Sequence, residues 1–182
     1  PAQIRELGVR LSFVPEDRLG MGLVENMDLV DNMMLRSYQK GKNYFLLNRE
    51  KPKALADDVV RELEVSTPSV YTSVRTLSGG NVQKVLVGRE IAASPKVLMV
   101  AYPVRGLDIN SSYTIYNLLN EQKKKGVSVI YVGEDLDVLL ALCDRIVVLS
   151  SGKVSGIVDA RTTTKSEVGM LMVKETEVGK DE

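Results

Sequence analysis

Histidine and tryptophan do not occur in this 182-residue chain, and cysteine occurs once, at Cys143. Without histidine there is no imidazole to act as a general base and no zinc set of the usual kind. A single thiol forms no internal disulfide, as expected of a cytosolic chain. Net charge is missing as well. The 24 lysines and arginines balance 24 aspartates and glutamates, so no overall field draws the chain to nucleic acid or to an anionic membrane, and phosphate binding must be local. No apolar run approaches the roughly 20 residues of a membrane-spanning helix, so any membrane involved is expected to be spanned by another subunit. What remains is an ordinary globular composition, 44% hydrophobic and 26% charged, enough for one core or for one core with a small satellite.

Periodicity divides the chain. Residues 8–14 alternate, with Val9, Leu11 and Phe13 on one side, until Pro15 breaks the run, and they read as a strand. Helical spacing follows over 28–38 (Leu29, Val30, Met33, Met34, Tyr38), over 51–64 (Leu55, Val59, Val60, Leu63) and over 78–93, where Ser78 is a candidate cap. From residue 96 short apolar runs alternate with helices: strand 96–101, helix 110–124, strand 127–132, helix 135–142, strand 145–149. This is the pattern of a parallel α/β sheet. Ser151-Gly152 reads as a hairpin turn, and Thr164 to Glu167 as a capping box before Val168–Met172. The tail after Lys174 is charged and expected to fray.

The run Leu77-Ser78-Gly79-Gly80-Asn81-Val82-Gln83-Lys84 joins two glycines to the start of a helix, where free amides and the helix dipole favour an anion. Alone it is equally a glycine turn before a capped helix. Its context decides. A buried strand, Pro95 to Ala101, follows the helix, and Pro103-Val104-Arg105-Gly106-Leu107-Asp108 comes directly after it. This order resembles the signature motif, Walker B strand and D-loop of ABC-transporter ATP-binding domains. Phe13-Val14-Pro15-Glu16-Asp17-Arg18 resembles the Q-loop region of the group that imports simple sugars or nucleosides, with Glu16 where most other relatives carry glutamine. Gly133-Glu134-Asp135-Leu136 is similar to the switch region, Cys143 to Leu149 to the strand after it, and Glu167 to Met172 to the closing helix. The resemblance spans about residues 9–173.

The resemblance implies an α/β, partial RecA-like P-loop NTPase core with an inserted α-helical subdomain. Residues 1–25 would form the first part of the core, 26–94 the helical subdomain ending in the signature helix, 95–160 the second part, and 161–182 a closing helix and tail. No Walker A pattern occurs: the Gly-Lys pairs beginning at 41, 152 and 179 lead into Asn43, Val154 and Asp181. In the family this loop precedes the Q-loop, so the chain, opening on Pro1, is expected to be a truncated second domain of a tandem subunit. An active relative ends its Walker B strand on aspartate and glutamate, for magnesium and for the attacking water. Here those positions are Ala101 and Tyr102, and the switch histidine position is Glu134. No intact catalytic residue and no metal ligand is therefore expected.

Signature residues serve the nucleotide of a partner domain. By resemblance Ser78, Gly79, Gly80, Asn81 and Gln83 would contact a nucleotide held in trans, with Glu16 in the Q-loop position and Asp108 in the D-loop. ATP and Mg2+ are expected in the complete dimer and neither on this chain alone. The implied partners are a second ATP-binding domain fused upstream, membrane-spanning permease subunits and, indirectly, a solute-binding protein; no nucleic acid is implied. The implied place is the cytoplasmic face of the cell membrane. The alternative is a non-hydrolysing dimerisation and coupling module. Met33, Met34 and Leu35 are read as subdomain core rather than a docking surface, Lys123–Lys125 as a solvated helix end, Cys143 as a packing residue, and Asn110-Ser111-Ser112 as a helix start rather than a glycosylation site.

Overall fold

The computed structural model describes residues 6, 8–36 and 48–173. Tyr38 and the tail after Lys174 lie outside them. The chain forms two compact units, Pro1–Val132 and Gly133–Glu182.

The first unit is built on three parallel strands in the order β1 (Leu11–Val14), β2 (Val97–Ala101), β3 (Ser128–Val132). The expected strand at 8–14 is shorter by three residues, because pairing begins where Leu11 meets Val97. Period-two alternation sends Ser12, Val14, Leu98 and Val100 to a buried face. Against that face pack two helices, α3 (Gly79–Ala92) through Val82, Val85 and Leu86, and α4 (Ile109–Lys124) through Ile115 and Leu119. Register places Leu11, Phe13, Val97, Met99, Ile130 and Val132 on the opposite face, where Leu11 and Phe13 are 50% and 40% exposed and Ile130 48%.

Between β1 and α3 run a π-turn (Arg18–Gly22), α1 (Leu29–Met34) and α2 (Glu50–Glu62). Asp28 caps α1, its carboxylate accepting from the Asp31 amide at 2.7 Å. Helix α2 stops where Glu64 turns left-handed (φ 50°) and the Val65 amide reaches back to the Val60 carbonyl at 3.0 Å. Met33 is buried, as expected of a gap-filling core residue, whereas Leu35 is 38% exposed. Buried Asn32 pins the loop after the π-turn: its carbonyl oxygen accepts from the Val24 amide (2.8 Å), and its amide donates to the carbonyls of Val24, Met27 and Asp28. Lys123 and Lys124 lie exposed in the last turn of α4, as a solvated helix end should.

The second unit holds α5 (Leu136–Leu142), β4 (Arg145–Ser150), β5 (Lys153–Asp159) and α6 (Lys165–Val173). Asp135 caps α5 by accepting from the Asp137 and Val138 amides. Ser151 and Gly152 both take positive φ (50° and 75°), as a two-residue hairpin turn requires. The Thr164 amide donates to Glu167 Oε2 (2.8 Å) and the Glu167 amide to Thr164 Oγ1 (3.2 Å), so the expected capping box forms. The strand at 145–149 meets one expectation and departs from another: it forms the hairpin expected across Ser151-Gly152, but among the described residues it pairs with no strand of the parallel sheet. It pairs antiparallel with β5 in a separate two-stranded sheet. Its tight turn gives it an adjacent partner in sequence, and hydrophobic periodicity carries no information on which strand pairs with which. Cys143, expected to be buried, is half-buried at the end of α5.

Candidate functional site

Helix α3 starts at an open end. Ser78 is its N-cap in extended conformation, its hydroxyl accepting from the Asn81 side chain at 3.0 Å and, more weakly, from the Asn81 amide at 3.4 Å. Ser78 and Gly79 are exposed and Gly80 half-buried, so amides of the first turn face outward at the positive end of the dipole. Asn81 ties this turn to the chain before it by accepting from the Ser66 amide (3.0 Å). Gly80 is there for space. A Cβ at that position would stand 2.5 Å from Ser111 Oγ and 3.5 Å from Asp108 Oδ2. The start of α4 is therefore pressed against the start of α3, and two helix N-termini meet.

Asp108 makes the second of those termini. Its carboxylate accepts from the Ser111 hydroxyl (2.6 Å) and amide (2.9 Å), and these two bonds hold it below the ordinary carboxylate value. Gln83, one turn into α3, is fully buried; its Oε1 accepts from Arg18 Nε at 2.8 Å, and its Nε2 has no hydrogen-bond partner among the described residues. Arg18 also donates to the Arg105 carbonyl. Burial pulls its guanidinium down from the ordinary arginine value, with Glu16 opposing. One side chain of the π-turn thus joins α3 to the loop after β2.

The end of β2 is built differently. Ala101 is the last residue of the strand, and Tyr102 follows in the left-handed region (φ 46°), its amide donating to Val132 at 2.8 Å. The Arg105 guanidinium lies 5.6 Å from the Tyr102 ring centroid and pairs with Glu16 at 2.5 Å. Among the described residues no group of three or more His, Cys, Asp or Glu side chains could hold a metal ion. Glu134 belongs to the second compact unit, where it is exposed.

The structure therefore brings Ser78, Gly79, Gly80 and Asn81 together with Asp108, and links Glu16, Arg18, Gln83, Arg105 and Tyr102 into one chain of contacts. Arg18 and Arg105 were not singled out by sequence. The available signal was a glutamine, Gln83, among the apolar positions Val82, Val85 and Leu86 of α3, which needs a buried partner. A second buried network sits at the far end of α3. Arg89 donates to the Gly22 carbonyl (2.7 Å) and to Glu90 Oε1 (3.0 Å). Glu90 Oε2 is 3.1 Å from Arg36 Nη2, an ion pair without an aligned hydrogen bond. Burial lowers the Arg89 value, with Glu90 opposing.

No family model matches the chain. Curated relatives do. Over 158 residues, 86% of its length, the chain is 38% identical to the galactose/methyl galactoside import ATP-binding protein MglA of Escherichia coli O6:K15:H31 (strain 536 / UPEC), and 37% identical to those of Escherichia coli K12 and Salmonella typhimurium LT2. It spans about a third of those relatives, 31% of each. Among solved structures, the dimeric ATP-binding cassette MJ0796 bound to ADP and Pi after hydrolysis superposes with a TM-score of 0.72 at 21% identity. That match covers 89% of this chain and 68% of that one. A second dimeric structure of MJ0796, a bacterial ABC transporter cassette, gives 0.71 at 23%, covering 89% and 67%. The chain is a homologue of the MglA import ATP-binding proteins over 86% of its length, and its α/β fold is that of the ABC transporter cassette MJ0796.

Proposed function

We propose that this chain is part of the ATP-binding subunit of an ABC importer for a simple sugar or nucleoside, and that its signature end completes the ATP site of a second cassette while its own site is degenerate. The observation that carries this reading is the contrast between the open start of α3, with Ser78 and Gly79 presented to solvent beside half-buried Gly80, and the end of β2, where Ala101 and Tyr102 are the residues at the positions that the resemblance assigns to carboxylates. The printed activity of the relatives, galactose and methyl galactoside import, supports the solute class.

The residues present fit a phosphate at the first turn of α3, where backbone amides and the Ser78 hydroxyl would receive an anion. Asn81 would hold that turn in shape, Gln83 would brace it from inside through Arg18, and Asp108 would set the neighbouring helix start that faces the partner. The residues do not fit a magnesium site of the chain's own. Alanine ligates nothing, a tyrosine hydroxyl is a poor magnesium ligand, and Glu16 is engaged with Arg105. Glu134 at the switch position would repel a γ-phosphate. ATP and Mg2+ would accordingly be held by the partner cassette. That cassette would be fused upstream, with permease subunits anchoring the assembly on the cytoplasmic face of the membrane and a solute-binding protein acting through them. Residues 1–25 and 95–160 would form the RecA-like core, with 26–94 as its helical subdomain and 161–182 as the closing segment. No helix among the described residues is long and apolar enough to cross a membrane, which accords with a separate permease.

The test is the ATPase rate of this chain assembled with its partner cassette. Ser78→Arg should abolish it, and an unchanged rate refutes the signature role. A second reading, a coupling module that supports no hydrolysis, is favoured by Ala101, Tyr102 and Glu134 together. It predicts no turnover in the wild-type assembly and no effect of Ser78→Arg.

A further inference from the structure

Arg18 is a half-buried cation that bonds no carboxylate among the described residues. Its hydrogen bonds go to neutral groups, from Nε to Gln83 Oε1 at 2.8 Å and from Nη2 to the Arg105 carbonyl. Nη1 makes none among the described residues. The two acidic residues just before it are engaged elsewhere: Glu16 pairs with Arg105, and the Asp17 carboxylate accepts from the Gly20 amide at 2.8 Å. Taking a guanidinium out of water is costly, and folded chains ordinarily offset the cost with a bonded anion. Here burial outweighs the one carboxylate that acts on Arg18 from a distance, Glu16.

The place of Nη1 is specific. A Cβ built on Gly79 would meet it at 3.5 Å, so the unbonded end of the guanidinium lies beside the exposed first turn of α3. Gln83 stands one turn further along the same face, since residues four apart on a helix are neighbours. It is fully buried, and its Nε2 also lacks a partner among the described residues. A buried donor without an acceptor calls for an explanation. On the other flank of the turn Asp108 brings a carboxylate to 3.5 Å from a Cβ at Gly80, and by itself that charge would oppose an arriving anion. Lys84 does not offset it at this turn, because its ammonium donates to the Glu64 carbonyl at 3.2 Å. Arg18 is placed to do so.

We infer that Arg18 is a binding residue of the site at the start of α3: its Nη1 donates to the terminal phosphate of a nucleotide held by the partner cassette, and so makes the site prefer a triphosphate to a diphosphate. The inference rests on the signature reading above and adds to it a side chain from the π-turn. A guanidinium suits the task better than an ammonium, because it can meet phosphate oxygens with one nitrogen while the others hold Gln83 and the Arg105 carbonyl. Charge at Nη1 and bracing through Nε and Nη2 are two roles that substitutions can separate.

The experiment measures equilibrium binding of AMP-PNP, a non-hydrolysable triphosphate analogue, and of ADP to the chain assembled with its partner cassette, with magnesium present. Arg18→Met should weaken AMP-PNP binding by about tenfold or more and change ADP binding by less than about twofold, since only the triphosphate carries the group that Nη1 reaches. Arg18→Lys keeps a charge but cannot make both protein bonds. It should lower the denaturant midpoint as much as Arg18→Met does, yet hold AMP-PNP affinity within about threefold of wild type. A residue that only braces Gln83 predicts instead that nucleotide affinity follows stability. Should Arg18→Met fold poorly, Gln83→Leu combined with Arg18→Met replaces both partners of the buried bond by apolar groups. It should show the same loss of AMP-PNP affinity relative to Gln83→Leu alone. Three outcomes overturn the inference: AMP-PNP binding unchanged in Arg18→Met, AMP-PNP and ADP weakened equally, or Arg18→Lys as weak as Arg18→Met. Ser78→Arg, measured alongside, tells the failures apart. If it weakens AMP-PNP binding while Arg18→Met does not, only the role of Arg18 is refuted; if it too is without effect, the signature reading itself fails.

Discussion

The start of α3 and the end of β2 come from stretches only some twenty residues apart in sequence, yet they are finished in opposite ways. At the first, a serine cap and two glycines open the helix, and support comes from behind through two hydrogen bonds, Arg18 to Gln83 and Ser66 to Asn81, and through the close packing of Ser111 against Gly80. At the second, the space beside the strand is taken up by the chain's own groups, with Arg105 held between the Tyr102 ring and Glu16. On the reading proposed above, one end would receive an anion from elsewhere, whereas the other is closed on itself with a tethered cation. Tyr102 and its neighbours at the end of β2 thus make contacts of their own.

That contrast can be broken at graded cost. The largest effect is expected at the root of α3. Arg89→Leu leaves the buried Glu90 carboxylate without its main partner and should cost about 3–5 kcal/mol, whereas replacing both residues by apolar ones should cost much less. Denaturant midpoints measure both. At the tip, Gly80→Ala drives a methyl into Ser111 Oγ and should cost about 1–3 kcal/mol. The penalty should shrink in a Ser111→Ala background, while Gly79→Ala, whose nearest neighbour would be 3.5 Å away, should be nearly silent. Arg18→Ala strips the buried Gln83 amide of its one partner and should cost about 1–3 kcal/mol. If it costs nothing, the brace behind the start of α3 does not exist.

The β2 end should be the more forgiving. Glu16→Ala removes an exposed pair and should change stability by no more than about 1 kcal/mol, an effect that salt diminishes. The smallest effect concerns pH. The Asp108 carboxyl is held below its ordinary value in the folded chain by Ser111. Its contribution is present above the unfolded carboxylate value, near about 3.9, and is lost as pH falls through the lowered folded one. Asp108→Asn should therefore flatten the acid limb of a stability profile and leave the neutral region almost unchanged.

Most elements were legible in the sequence because each has a local cause. Ser78, Asp135 and Thr164 announce helix starts, and Ser151-Gly152 announces a turn whose residues do take positive φ. That β2 and β3 belong to a parallel sheet followed from their alternation with helices; the strand order did not. What could not be read is non-local. That β4 stands outside the parallel sheet depends on which edges are available, although its hairpin with β5 was legible from the turn. The Arg18 to Gln83 bond joins residues 65 apart in sequence, and nothing near Arg18 marks it as a buried partner rather than a surface charge. The left-handed Tyr102 was equally hidden, since an aromatic residue is among the last that local preference would place there.

Asn32 makes no contact with any candidate ligand, yet it governs how the first unit would move. Its amide and carbonyl close four bonds onto the loop Val24–Asp28, and Arg89 ties Gly22, just ahead of that loop, to the far end of α3. Mechanically this is a rivet and a strut. A push applied to the loop would therefore be passed toward α3 through these side-chain bonds. The first turn at Ser78 would then act as the tip of a lever whose handle is the segment following the π-turn.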